Sequence, residues 1–227
     1  MISRVATFAI NNQMIEAALR TQSTMANQQI QEASGLISSD YAGLGATSQQ
    51  VIDLQVSVTR SQSYIDAATS ADSKVQVMYS TVTSISNLLT QLRSLLTGAS
   101  NSATTDSSAV SESAQQMMQE MASLLNTQYS GQYLFGGSKT NTPPVDISSA
   151  SYPAMTSPSS ASTSYYQGDS EAASVRVSDD NTVTYGVTAD NSAFEQAMRA
   201  LNLAANNSPL SSATLTEALR SGKRPHV

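Results

Sequence analysis

The sequence predicts a mainly α protein: an elongated antiparallel helical bundle or coiled coil that carries a small β-rich insertion. From about Gly45 to Gly98, Val51, Leu54, Val58, Ile65, Ala68, Val75, Met78, Val82, Ile85, Leu89, Leu92 and Leu96 recur at steps of mostly three, four or seven. That spacing keeps side chains on one helical seam. No proline interrupts the stretch. At a rise of ~1.5 Å per residue such a helix runs roughly 75–80 Å, too long to pack without a partner along it. After Gly131 the texture changes to prolines and period-two alternation, which marks the insertion.

Before the long helix, residues 5–33 read as a first helix, with Phe8, Ile15, Leu19, Ala26, Ile30 and Ala33 near a heptad seam that Asn12, Gln22 and Gln29 dilute. A helix so diluted is expected to be weakly stable alone. Ser34-Gly35 ends it, and residues 38–45 form a loop rich in glycine and short polar residues. A second break spans 98–107, with Asp106 or Ser108 as expected N-cap. The third helix then runs to about Tyr129, with Val110, Ala114, Met117, Met121, Leu124 and Leu125 on one side, and its short connection predicts antiparallel packing on the second helix.

Tyr133-Leu134-Phe135 reads as a short strand stopped by Gly136-Gly137, with Phe135 expected to be buried where helices meet the insertion. Pro143, Pro144, Pro153 and Pro158 make 140–164 an extended loop. Ala173, Val175, Val177 and Val183, Tyr185, Val187 alternate around Ser178-Asp179-Asp180-Asn181, a β-hairpin pattern. Helix returns at Ser192, where Ser192 and Glu195 fit a capping box, with Phe194, Met198, Leu201 and Ala205 on the buried face. Pro209 breaks it. A last pattern through Leu215, Ala218 and Leu219 stops at Gly222, and Lys223-Arg224-Pro225-His226-Val227 reads as a cloning or frameshift remnant.

Composition narrows the function classes. Charged residues are only 12% of the 227, with 11 basic against 17 acidic and a net charge of −6. A mildly acidic chain without a basic cluster is a poor nucleic-acid partner. Cysteine is absent and histidine occurs once, so thiol chemistry is excluded and no metal site is expected. Asp179-Asp180-Asn181 lacks the spaced ligands of a calcium loop, and Asp169 beside Gly168 reads as a turn residue. No nucleophile elbow or phosphate loop occurs. The expected sites are therefore non-catalytic, without cofactor. No run approaches the ~18–20 apolar residues of a membrane span, and the N-terminus lacks the pattern of a cleaved signal peptide.

Two motifs sharpen the reading. Residues 34–45, Ser34-Gly35-Leu36-Ile37-Ser38-Ser39-Asp40-Tyr41-Ala42-Gly43-Leu44-Gly45, resemble the loop after the N-terminal helix of the bacterial flagellin superfamily, although that loop usually carries a basic residue near 36–37 and a pair of aspartates. Residues 131–140, Gly131-Gln132-Tyr133-Leu134-Phe135-Gly136-Gly137-Ser138-Lys139-Thr140, resemble the segment that opens the outer domain of hook–filament junction (hook-associated) proteins, where Tyr166-Gln167-Gly168-Asp169 also recurs. The resemblance covers about Ile2 to Leu219. It implies a non-enzymatic, self-assembling building block of the flagellum, extracellular and exported unfolded by the flagellar type III apparatus. The implied partners are further copies of itself, hook-associated proteins, flagellin and an export chaperone, with no nucleic acid and no membrane.

The same resemblance divides the chain into an N-terminal helix and loop (1–44), a long helical hairpin (45–130), a β-rich outer insertion (131–191), and the start of a returning helix with an atypical tail (192–227). In the family a long C-terminal helix pairs with the first helix; here the sequence stops soon after Leu219, so that helix is expected to be missing. Val5, Phe8, Ile15, Leu19 and Ile30 are then the expected assembly interface, and Tyr133, Leu134, Phe135, Gly136 and Gly137 the outer-domain junction motif. The competing readings are a flagellin filament subunit, a helical signalling rod such as a chemoreceptor hairpin, and a type III-secreted adhesin.

Overall fold

The computed structural model describes residues 2–38, 40–101, 107–148, 150–207 and 210–222, with side chains from residue 8 onward. The expected cap Asp106, the breaker Pro209, and the tail from Lys223 lie outside the described residues. Among the described residues five α-helices carry the fold: α1 (Ile2–Ser34), α2 (Ser48–Asn101), α3 (Ser107–Leu125), α4 (Ser192–Asn206) and α5 (Ser212–Ser221). A 3-10 turn (Ala42–Thr47) precedes α2. Two small antiparallel pairs join them: β1 (Gln128–Tyr129) with β2 (Gln132–Tyr133), and β3 (Ala173–Arg176) with β4 (Thr182–Tyr185). The fold is thus mainly α with a small β component, as the periodicity predicts.

The chain divides into two compact units, Met1–Ser61 and Gln62–Val227. In the first, α1 ends where the Gly35 amide donates to Gln31 O at 2.8 Å. The following loop is tied locally. Asp40 Oδ1 accepts from Gly43 N (2.8 Å) and Ser38 Oγ (3.1 Å), and the Tyr41 hydroxyl donates to Gln55 Oε1 (2.6 Å). Every described side chain of α1 is exposed.

The second unit holds the core. On α2 the buried residues are Ala71, Met78, Thr81, Ile85, Leu88, Leu92 and Leu96, again at helical spacing. The seam expected from the sequence is therefore only partly the buried one. Val51, Leu54, Val58, Ile65, Val75 and Val82 are exposed, and Leu88, outside that seam, is buried. Leu88, Leu92 and Leu96 of α2 share one core with Val110, Ala114, Met121 and Leu125 of α3 and Met198, Leu201 and Leu203 of α4. The close helix neighbours are α3 with α4 and α4 with α5. The expected α2–α3 hairpin pairing is not the principal contact, because the 15 residues of α4 are buried on most of their circumference and fill the space beside α3.

Three local expectations change. The cap of α4 is Asn191, whose side chain accepts from the Ala193 amide, rather than Ser192. Glu195 does not reach back to the helix start; it pairs with Arg199 at 3.0 Å. Helix α3 starts at Ser107, so Ser108 lies inside it, and it ends at Leu125 rather than near Tyr129. The strand expected at 133–135 stops at Tyr133. The β3–β4 hairpin forms in the expected place, with Val175 opposite Val183.

Candidate functional site

The junction motif begins at a tight hairpin. Gln128 pairs with Tyr133 and Tyr129 with Gln132, around Ser130 (φ 51°) and Gly131 (φ 77°). Positive φ at both central residues is what a two-residue type I′ turn requires. Leu134 and Phe135 then leave the strand and enter the core. Phe135 is fully buried, its ring edge-on to Phe194 with centroids 6.0 Å apart. Its carbonyl accepts from Ala189 N (2.9 Å), and the Ala189 carbonyl accepts from the buried Tyr165 hydroxyl (2.9 Å). Burial drives the Tyr165 phenol above its ordinary pKa, so it stays a neutral donor. Phe135 thereby ties the motif to the loop before α4, as expected for a residue buried where helices meet the insertion.

Beyond Phe135 the two sequence motifs meet. Asp169 Oδ1 accepts from Ser138 N (2.8 Å) and Glu171 N (3.1 Å), and Oδ2 accepts from Ser138 Oγ (2.5 Å). The bonds from Ser138 hold the Asp169 carboxyl below its ordinary pKa, since they favour the charged form. Asp169 N donates to Gly136 O, and Lys139 Nζ donates to the carbonyls of Gln167 and Gly168. Asp169 is thus the acceptor centre of a clasp between 136–139 and 166–169, more than a turn residue. The clasp leaves no room for side chains at two glycines. A Cβ on Gly137 would stand 2.2 Å from Asp169 O, and one on Gly168 2.3 Å from the Tyr166 hydroxyl. Sequence reading found both motifs but not their union, which no short-range pattern encodes.

The α1 residues form the second candidate surface. Phe8 (69%), Ile15 (58%), Leu19 (60%) and Ile30 (64%) are all exposed; the side chain of Val5 lies outside the described residues. A second group, Ile10, Met14 and Met25, is equally exposed. At about 100° per residue it sits roughly 140° around the helix from the first. Sequence reading missed this second face, which a separate count of the methionines along α1 would have revealed.

The remaining cavities offer little chemistry. An open groove of about 630 Å³ is lined mainly by apolar residues such as Val82, Leu89, Val187 and Phe194, with Arg93 its single ionisable group among the described residues. A hollow of about 620 Å³ beside the clasp holds Lys139 and Asp146, the first engaged by carbonyls and the second by Ser148 and Ser151. Among the described residues no group of His, Cys, Asp or Glu is placed to hold a metal ion, and no helix is long and apolar enough to cross a membrane.

Residues 5–140 match the family model of the bacterial flagellin N-terminal helical region. The fold is similar to a solved structure from Vibrio parahaemolyticus assigned as a flagellar hook-associated protein. The two are 18% identical with a TM-score of 0.61, over 82% of this chain and 84% of that one. It is also similar to flagellar hook-associated protein-3 from Legionella pneumophila, 24% identical with a TM-score of 0.51, over 62% of this chain and 40% of that one. No curated protein matches the chain. The family match takes in α1, α2, α3 and the first half of the clasp, well over half the sequence, and so the chain belongs to the bacterial flagellin family.

Proposed function

We propose that this chain is a non-enzymatic structural subunit of the flagellum that sits at the junction of hook and filament. The observation that carries this reading is the clasp. It is built from 131–140 and 166–169, the two segments that resemble junction proteins; Asp169 closes them on each other, and Phe135 fixes the motif on the helical core. The fold shared with two hook-associated proteins supports the same reading. In it, the exposed apolar residues of α1, Phe8, Ile15, Leu19 and Ile30, with Val5, form the assembly interface. In this reading 1–44 is the inner-tube-type segment of the family, 45–130 the long helical hairpin, 131–191 the β-rich outer insertion, and 192–227 the start of a returning helix with an atypical tail.

The subunit works outside the cell after export by the flagellar type III apparatus. It contacts copies of itself, other hook-associated proteins and flagellin, and an export chaperone covers the apolar stripe beforehand. Immunogold labelling of flagellated cells with antibody against this chain tests the reading: gold is expected as a ring where hook meets filament. Labelling along the whole filament supports the second reading, a filament flagellin, which the family match itself favours. Labelling at neither place overturns both.

A further inference from the structure

Between the two halves of the clasp the chain runs through residues 145–166 with almost no ladder of its own among the described residues, the Val145–Tyr166 bridge excepted. Its backbone is held instead by side chains on the helices or, for Asn126, just beyond the end of α3. Asn126 Oδ1 accepts from Val145 N and its Nδ2 donates to Val145 O, both at 2.9 Å, copying the exchange of a β-pair. Asn202 Oδ1 accepts from Met155 N (2.8 Å) while its Nδ2 donates to Pro153 O (3.1 Å). These anchors are also apolar: Val145, Tyr152 and Tyr165 are buried, and the two tyrosine rings meet edge-on at 5.3 Å.

The stretch between the anchors is different. In 157–162 the residues that turn inward are Ser157, Ser159 and Ser162, and no residue is fully buried. What holds them is charge. Glu217 Oε1 on α5 accepts from Ser159 N (2.8 Å) and Ser159 Oγ (2.6 Å). Glu195 Oε1 on α4 accepts from Ser162 N (3.1 Å) while paired with Arg199. We propose that residues 157–162 are a hinged strap, latched by the Glu217 and Glu195 carboxylates, which opens as a unit over α4 and α5 while its apolar ends at Met155 and Tyr165 stay fixed.

The physical ground is that segments with few buried apolar contacts open locally at far lower cost than the core. Hydrogen bonds to a charged acceptor lose much of their strength when that acceptor is neutralised. The groups facing the latch are Arg199 and Glu195 on α4, Tyr152 at the strap's near anchor and the hydroxyls of Ser157 and Ser159. Hydrogen bonds from Ser157 and Ser159 hold the Glu217 carboxyl down at about 2, against an ordinary 4.5. Its contribution is therefore complete above the ordinary value and is lost as pH falls toward 2.

Hydrogen exchange of the whole chain, resolved by residue, tests this. In Glu217→Gln at neutral pH the Ser159 amide is expected to exchange roughly tenfold faster or more, with Ser162 following, while the Asp146 and Ala189 amides keep their rates. Ser159→Ala, which removes only the hydroxyl bond, is expected to give a smaller acceleration at the same two amides. Unchanged exchange at Ser159 in Glu217→Gln overturns the latch. Equal acceleration at Ala189 and Asp146 overturns the hinge, because the segment would then open only with the core.

Discussion

Residues 1–61 and 62–227 use similar apolar residues to opposite ends. In the first unit the described apolar side chains of α1, and Val51, Leu54 and Val58 at the start of α2, all face solvent. In the second, the same residue types close a core around Leu92, Leu96, Met121, Leu125 and Leu201. The lesson is that a helical seam in a sequence reports burial somewhere, not burial within the chain that carries it. In the function proposed above, the seam left bare on α1 is the surface for association.

Substitutions that treat the two units alike should therefore give unlike results. The largest effect is expected from Phe135→Ala, which empties a fully buried aromatic site between Phe194 and the clasp and should cost about 3–5 kcal/mol. Urea unfolding followed by circular dichroism measures it, and a loss below about 1 kcal/mol would remove Phe135 as the tie between motif and core. Asn202→Ala comes next. It strands the Met155 amide and the Pro153 carbonyl and should cost about 2 kcal/mol by the same measurement; no change would mean that water satisfies both groups.

A smaller effect is expected from acid. Asp169 and Glu217 are held below their ordinary values by hydrogen bonds, so the stability they give is present at neutral pH. The Glu217 share is lost as pH falls toward about 2, and the Asp169 share as pH falls below its ordinary value. NMR shifts of Ser138 and Ser159 should move through those windows before far-ultraviolet helicity falls; simultaneous loss would show that clasp and core do not separate. The smallest effect on stability is expected from Leu19→Ser, within about 0.5 kcal/mol, because its side chain already faces water. The same variant should weaken self-association in sedimentation. A large loss of stability with unchanged association would reverse the reading of the first unit.

Periodicity made the helices and the β3–β4 hairpin readable from sequence, since local pattern determines them. It did not reveal which helices lie closest. Helix α4 displaces α2 as the main neighbour of α3 through residues some 80 positions away along the chain. It could not show that Asp169 closes on Ser138 across 31 positions, or that Asn126 reads the backbone of Val145 across 19. Such contacts depend on one amide or carboxylate, and a single polar residue has no period. The cap of α4 was misread for a related reason: Asn191 and Ser192 are both good caps, and the turn geometry before the helix chose between them.

Apart from the Ser157 and Ser159 hydroxyls on Glu217, the side chains that hold the strap and its anchors grip the main chain rather than the residues it carries. Asn126, Asn202, Glu195 and Glu217 bond to amides or carbonyls at 145, 153, 155, 159 and 162. Nearly every amino acid owns those groups; only proline lacks the amide. The outward positions between them, such as Pro158, Ser160 and Ala161, are free of that duty. A protein built this way can change the face it shows its surroundings almost letter by letter, while the helices beneath keep the same hold on its path.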